Sequence, residues 1–276
     1  MFGEEGFEAS YPQYEDEASG LILVFGTPDL GLGPQRIAFV LSDSEGIVRL
    51  PIVSISASLG GGEEVTAIAR YFDFPEGIRG LYVGELEFDQ AGEWLLEVSL
   101  PRPDGSLAVL SFPAEVAERT LAPDVGDPAP ASLNRTLDDV ESIYQLSTGA
   151  EPDPALYELT VAEALEAGRP FVIVFASPGF CTNALCGPQA EILTVLRERH
   201  GDRANFIHVD LYENPEEIRT MGLGVAIETP LLREWGLHTP EWTFIVGADG
   251  LVAGRFEAFA PEEELEEALI AVLDGA

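Results

Sequence analysis

The chain's only two cysteines, Cys181 and Cys186, stand five positions apart in FVIVFASPGFCTNALCGPQAEIL, residues 171–193. Two thiols that close in sequence can exchange with a disulfide: one thiolate attacks, a mixed disulfide forms, and the second thiolate resolves it. They can equally close on each other as a permanent staple. In a straight helix, positions five apart are too distant for disulfide geometry, whereas a compact turn can satisfy it.

The elements around the pair point to such a turn. Phe171 to Phe175 is a short β-branched and aromatic run that reads as a buried strand. Ala176, Ser177, Pro178 and Gly179 follow as turn residues, and Ile192, Leu193, Val195 and Leu196 supply one apolar face of a helix. Pro188 suits the first helical turn, because its missing N–H would have no partner there. Both cysteines are therefore expected in the turn or at the extreme start of the helix. Free N–H groups at a helix start favour a thiolate, which would lower the pKa of Cys186.

The surrounding chain has 276 residues, enough for two domains with separate cores. Apolar residues make up 46%, which excludes a disordered acidic protein despite the net charge of −35. Every basic residue is arginine. Acidic groups outnumber basic ones by 21 to 6 before residue 121 and by 28 to 8 after it, so the acidity is spread throughout. A field of that sign opposes nucleic acid and anionic membranes, and no run is long and apolar enough for a transmembrane helix. A solvated surface accounts for the charge more simply than an acidic docking face.

Residues 1–20 carry six acids and no bases and read as a tail. From Leu21, seven short strand candidates follow: LILVFGT, RIAFVLSD, IVRLPIVSISA, EVTAIARYF, LYVGELEF, EWLLEVSLP and LAVLSFPAEV. Turns rich in Gly, Pro, Asp and Ser separate them. This texture implies an immunoglobulin-like β-sandwich over residues 21–118, with Trp94 filling its core. The stretch GLYVGELEFDQAGEWLLEVSL resembles the late strands of small bacterial extracytoplasmic Ig-like modules, a likeness that implies a sandwich and assigns no ligand. ERTLAPDVGDPAPAS opens a proline-rich linker and lead-in segment, residues 119–154. Asn134-Arg135-Thr136 within it matches the glycosylation tripeptide.

Residues 155–276 read as an α/β domain. LTVAEALEAG is a helix capped by Thr160 and ended by Gly168, and NFIHVDL is a second strand. EWTFIVGADG turns through Asp249-Gly250 into LVAGRFEAF, and a helix from Pro261 closes the chain. The residues ENPEEIRTMGLGVAIET, 213–229, form an insertion-like loop.

This order resembles the thioredoxin-like superfamily, on three features: the cysteine turn between strand and helix, Thr239-Pro240 just before EWTFIV, and the terminal hairpin with its helix. The family likeness implies a cis-proline at Pro240 facing the cysteines. It also implies a thiol–disulfide oxidoreductase acting outside the cytoplasm, in a periplasmic or cell-surface setting, on protein thiols or disulfides. Cys181 and Cys186 would be catalytic, with Thr239, Pro240 and Trp242 at the substrate; core packing is the other reading of Trp242. The sequence departs from the family in two places. Cys186-Gly187-Pro188 begins the usual C-x-x-C motif, but Gln189 occupies the second cysteine position. The strand beneath the cysteines carries no carboxylate. These departures keep a second reading open, a non-enzymatic interaction module with a structural Cys181–Cys186 disulfide. C-T-x-x-x-C is also a peroxiredoxin spacing, but Pro178 and Val174 stand where that family's motif needs Thr or Ser and Pro. A third reading is similarity to copper chaperones of the same fold, in which Cys181, Cys186 and His238 would hold copper. His200 and His208 read as structural.

Overall fold

A computed structural model describes residues 11–102, 104–180, 185 and 188–275; Cys181 and Cys186 lie outside the described residues. The chain divides into two compact units, with the boundary between Thr120 and Leu121. No helix among the described residues is long and apolar enough to cross a membrane.

The N-terminal unit is an all-β antiparallel sheet. Its strands are β1 (Gln13–Asp16), β2 (Leu21–Phe25), β3 (Gly33–Asp43), β4 (Gly46–Ile47), β5 (Ile52–Leu59), β6 (Glu64–Asp73), β7 (Gly80–Phe88), β8 (Gly92–Pro101) and β9 (Leu107–Val116). They run in one continuous path, β1-β2-β3-β7-β6-β5-β8-β9, with β4 paired to β3. Along β9 every second residue is buried, the period-2 signature of a strand with one wet face. The inward residues, among them Leu23, Phe39, Leu41, Tyr82 and Phe112, form one core.

The two ends of the path meet. Leu30 bridges Val116, Tyr14 stacks on Phe112 at 4.8 Å, and the Tyr14 hydroxyl donates to Pro113 O at 3.2 Å. Pro113 fits there because a strand at the end of the path needs no N–H on its open side. The unit is thus a nearly closed barrel. The expected two-sheet sandwich gives way to a single sheet, because each strand pairs with the next around one interior. Trp94 does fill that core, packed edge-on to Phe88 at 5.0 Å. Two further expectations change. The acidic segment assigned to a tail contributes β1, anchored by the Tyr14 contact. The candidate strand IVRLPIVSISA is split into β4 and β5 ahead of and after Pro51, which cannot donate to a ladder.

The C-terminal unit is a mixed α/β sheet with helices: α1 (Val161–Glu166), β10 (Phe171–Phe175), α2 (Gln189–His200), β11 (Asn205–Val209), α3 (Pro215–Met221), α4 (Leu231–Glu234), β12 (Trp242–Val246), β13 (Val252–Glu257) and α5 (Glu262–Gly275). The strand order is β11-β10-β12-β13; β10 and β11 are parallel, joined through α2, and the other two pairs are antiparallel. All five residues of β10 are buried, as a strand covered on both faces requires. Thr160 caps α1 in a reciprocal pairing with Glu163, and Gly168 takes φ +60° beyond it. In α5, Leu265, Leu269 and Leu273 recur at helical spacing and are the buried residues.

The segment expected to be a linker belongs to this unit from Leu121 onward. Gly126 N donates to Val252 O at 2.8 Å, Ala129 N to Gly250 O at 3.0 Å, and Trp235 Nε1 to Ser132 Oγ at 2.9 Å. These hydrogen bonds hold the backbone against the edge of the sheet, so prolines here mark an ordered extended strap. The expected insertion loop holds α3 and is pinned at its base by Glu213 N to Ile227 O (2.7 Å) and Thr229 N to Leu211 O (2.9 Å).

Candidate functional site

The end of the C-terminal sheet from which the cysteine segment departs is built from one row of paired residues. Phe175 pairs with Trp242, and Trp242 pairs with Glu257. Lateral partners point to the same face of a sheet, so the row places a carboxylate beside two aromatic rings. The chain leaves β10 through Ala176 to Phe180 and re-enters description at Leu185, which is fully buried; α2 then starts at Gln189. Both cysteines therefore precede the helix in the chain.

A ladder of main-chain hydrogen bonds ties this region to the loop before β12. Phe259 N donates to Leu185 O at 3.1 Å, and Ala258 N donates to Glu241 O at 2.8 Å. Ala258 adopts φ +60°, a left-handed conformation that costs a non-glycine residue of the order of 1 kcal/mol and turns the chain sharply out of β13. Gln189 closes the arrangement from the other side. Its side chain donates to Ala260 O (3.2 Å) and accepts from Ala260 N (2.9 Å). The position where a C-x-x-C motif would carry its second cysteine thus carries a buried two-point clamp.

His238, Thr239, Pro240 and Trp242, singled out from the sequence, are gathered in this loop. Thr239 Oγ1 donates to Glu257 Oε1 at 2.6 Å, and Trp242 Nε1 donates to Thr239 O at 3.0 Å. His238 Nε2 lies 3.7 Å from Glu257 Oε1, and the His238 ring meets Trp242 edge-on at 6.0 Å. Arg255 sits over the Trp242 ring at 4.9 Å. The described residues contain no cis peptide bond, so Pro240 follows a trans bond rather than the expected cis one, with the Thr239 carbonyl held by the Trp242 indole. Thr239, Pro240 and Trp242 are all buried, Trp242 completely. The expected contact with substrate therefore has no exposed side chain among these three, and Trp242 packs the core against Phe244 at 5.7 Å.

Among the described residues of this unit, three buried carboxylates escape the sequence reading: Glu241 in the loop, Glu257 beside it, and Asp210 after β11. In a chain with 49 acidic residues, none is distinguishable by type from the solvated majority. The local signal is their position at or next to strand ends. Asp210 accepts four hydrogen bonds, from Thr148 N (2.7 Å), Thr148 Oγ1 (2.7 Å), Ser177 Oγ (2.8 Å) and Tyr212 N (3.3 Å). Ser177 stands just ahead of the cysteine segment, so Asp210 fixes where that segment begins. Burial nonetheless pushes its carboxyl up to about 6, the hydrogen bonds acting in the opposite direction.

His208 is structural, as expected. Its Nε2 faces Ala176 O at 3.1 Å, an acceptor, so that nitrogen carries the proton and Nδ1 accepts from the Tyr157 hydroxyl at 2.7 Å. Burial lowers it to about 4 and keeps it neutral. His200 pairs with Glu266 at 2.8 Å, linking α2 to α5. Asn134 of the glycosylation tripeptide is buried; its Nδ2 donates to Leu159 O (3.2 Å) and its Oδ1 accepts from Val161 N (2.8 Å). Among the described residues no group of three His, Cys, Asp or Glu side chains forms a metal cage; the copper reading also needs both cysteines, which lie outside them.

No protein-family model matches this chain, and no curated protein matches it.

Proposed function

We propose that the C-terminal unit is a thioredoxin-like domain and that the protein is an extracytoplasmic thiol–disulfide oxidoreductase using Cys181 and Cys186. The observation that carries this reading is the backbone ladder that sets Leu185, the residue before Cys186, beside the His238–Trp242 loop through Phe259, Ala258 and Glu241. The strand order β11-β10-β12-β13, with the cysteine segment between β10 and α2, supports the fold assignment. In the reaction, one cysteine thiolate attacks a substrate disulfide and breaks its S–S bond. The departing substrate sulfur takes a proton, and a mixed disulfide remains. The second cysteine, as thiolate, then attacks that bond, releasing the substrate dithiol and leaving Cys181–Cys186 oxidised; two electrons pass to the substrate. Insulin-disulfide reduction that is lost in Cys186→Ser or Cys181→Ser tests this reading.

A second reading, an interaction module stapled by a permanent disulfide, is favoured by the Gln189 clamp and by the burial of Thr239, Pro240 and Trp242. A strongly reducing potential for the pair and no insulin reduction would select it. A copper-chaperone role for Cys181, Cys186 and His238 predicts tight Cu(I) binding that is lost in His238→Ala. For the N-terminal unit the likeness of its late strands to Ig-like modules assigns no ligand, and a binding or spacer role is all that is proposed.

A further inference from the structure

A cleft of about 170 Å³ opens beside the end of β11, lined by groups that the cysteine chemistry does not use. Its inner wall is chemically closed. Both nitrogens of His208 are engaged, and the carboxylate oxygens of Asp210 each accept two hydrogen bonds. Neither is left to hold a ligand.

Two side chains of opposite charge in the cleft are only half engaged. Arg135 directs Nη1 to Gln145 O (3.2 Å) and Glu213 O (2.8 Å), while its Nε and Nη2 meet no acceptor among the described residues. Glu213 uses Oε1 to accept from Thr229 Oγ1 at 2.8 Å, and its Oε2 meets no donor among the described residues. The bond from the Arg135 guanidinium to the Glu213 carbonyl holds the Arg135 side chain against residue 213. A simple anion at Arg135 would face the Glu213 carboxylate and a chain of net charge −35; a simple cation would face the guanidinium. A zwitterion meets both at once. The guanidinium offers a planar pair of donors suited to a carboxylate, and the free carboxylate oxygen suits an ammonium. A cleft of about 170 Å³ has room for a small amino acid.

We propose that this cleft binds a small free α-amino acid, its carboxylate on Arg135 and its ammonium on Glu213. The site is independent of the cysteine pair. The test is isothermal titration of the full chain with glycine, L-serine, acetate and methylammonium. Glycine or L-serine is expected to bind, with acetate and methylammonium at least about tenfold weaker because each satisfies one charge alone. Arg135→Gln and Glu213→Gln are each expected to weaken amino-acid binding about tenfold or more. Arg135 also holds two backbone carbonyls, so the Glu213→Gln variant, whose amide oxygen still accepts from Thr229, separates ligand loss from misfolding; thermal melting confirms that it is folded. No binding of either amino acid at millimolar concentration, acetate binding as tightly as glycine, or unchanged affinity in folded Glu213→Gln would each overturn the proposal.

Discussion

The Thr239 hydroxyl donates a 2.6 Å hydrogen bond to the fully buried carboxylate of Glu257, joining the loop before β12 to the last residue of β13. A carboxylate taken out of water is tolerated only when its oxygens are satisfied, so this bond holds the loop and also makes burial of the acid possible. Thr239→Val keeps the shape and deletes the donor. It is expected to destabilise the protein by about 2 kcal/mol, since removing the partner of a buried acceptor costs about 1–3 kcal/mol. Urea denaturation measures this. A change within a few tenths of a kcal/mol would mean that the bond does not hold the loop.

Gln189 makes its own prediction. Gln189→Leu removes both hydrogen bonds to Ala260 and leaves a buried N–H and C=O without their partner. The expected loss is about 2 kcal/mol or more by the cost of unsatisfied buried groups. Equal stability of variant and wild type in denaturant would contradict the clamp.

His208 and Asp210, two residues apart, oppose each other as pH changes. The folded pKa of Asp210 is raised to about 6 from 3.8, so its contribution favours folding below about 3.8 and is lost as pH rises through about 6. The folded pKa of His208 is lowered to about 4 from 6.5, so its contribution is present above about 6.5 and is lost as pH falls through about 4. The two nearly cancel between pH 4 and 6.5. Replacing His208 by Gln removes one partner. Relative to wild type, His208→Gln is expected to gain stability as pH falls from 6.5 to 4, by up to about 3 kcal/mol at 1.36 kcal/mol per unit. Denaturation at several pH values checks this; a wild-type–variant difference that does not change with pH would refute it.

Asn134 is expected to stay unmodified when the protein is made in a glycosylating host, because its amide is buried and donates to Leu159 O. Intact-mass analysis reads the outcome directly. A glycan on Asn134 would contradict the buried, hydrogen-bonded placement of its amide.

Much of the C-terminal unit was legible because its signals are local. The Thr160 cap, the Asp249-Gly250 turn and the continuous apolar run of β10 each depend on residues within a few positions. What was hidden depends on distant partners. The acidic stretch around Tyr14 becomes a strand only when its ring finds Phe112, and the barrel closes only when Leu30 meets Val116. The strap from Leu121 reads as a linker by its prolines, yet its order comes from hydrogen bonds to Gly250 and Val252. Glu257 is anonymous among acids until Thr239 and His238 fold against it. At the candidate site, the loop residues were found by sequence and their carboxylate was not.

The most direct test of the proposed oxidoreductase is the reduction potential of the Cys181–Cys186 pair, measured by equilibration with glutathione or dithiothreitol, together with insulin reduction. The expected potential lies between about −270 and −120 mV, the span of known dithiol oxidoreductases, with insulin reduction lost in Cys186→Ser. A potential below about −300 mV with no insulin reduction by the wild type would contradict the assignment and leave the pair a structural staple.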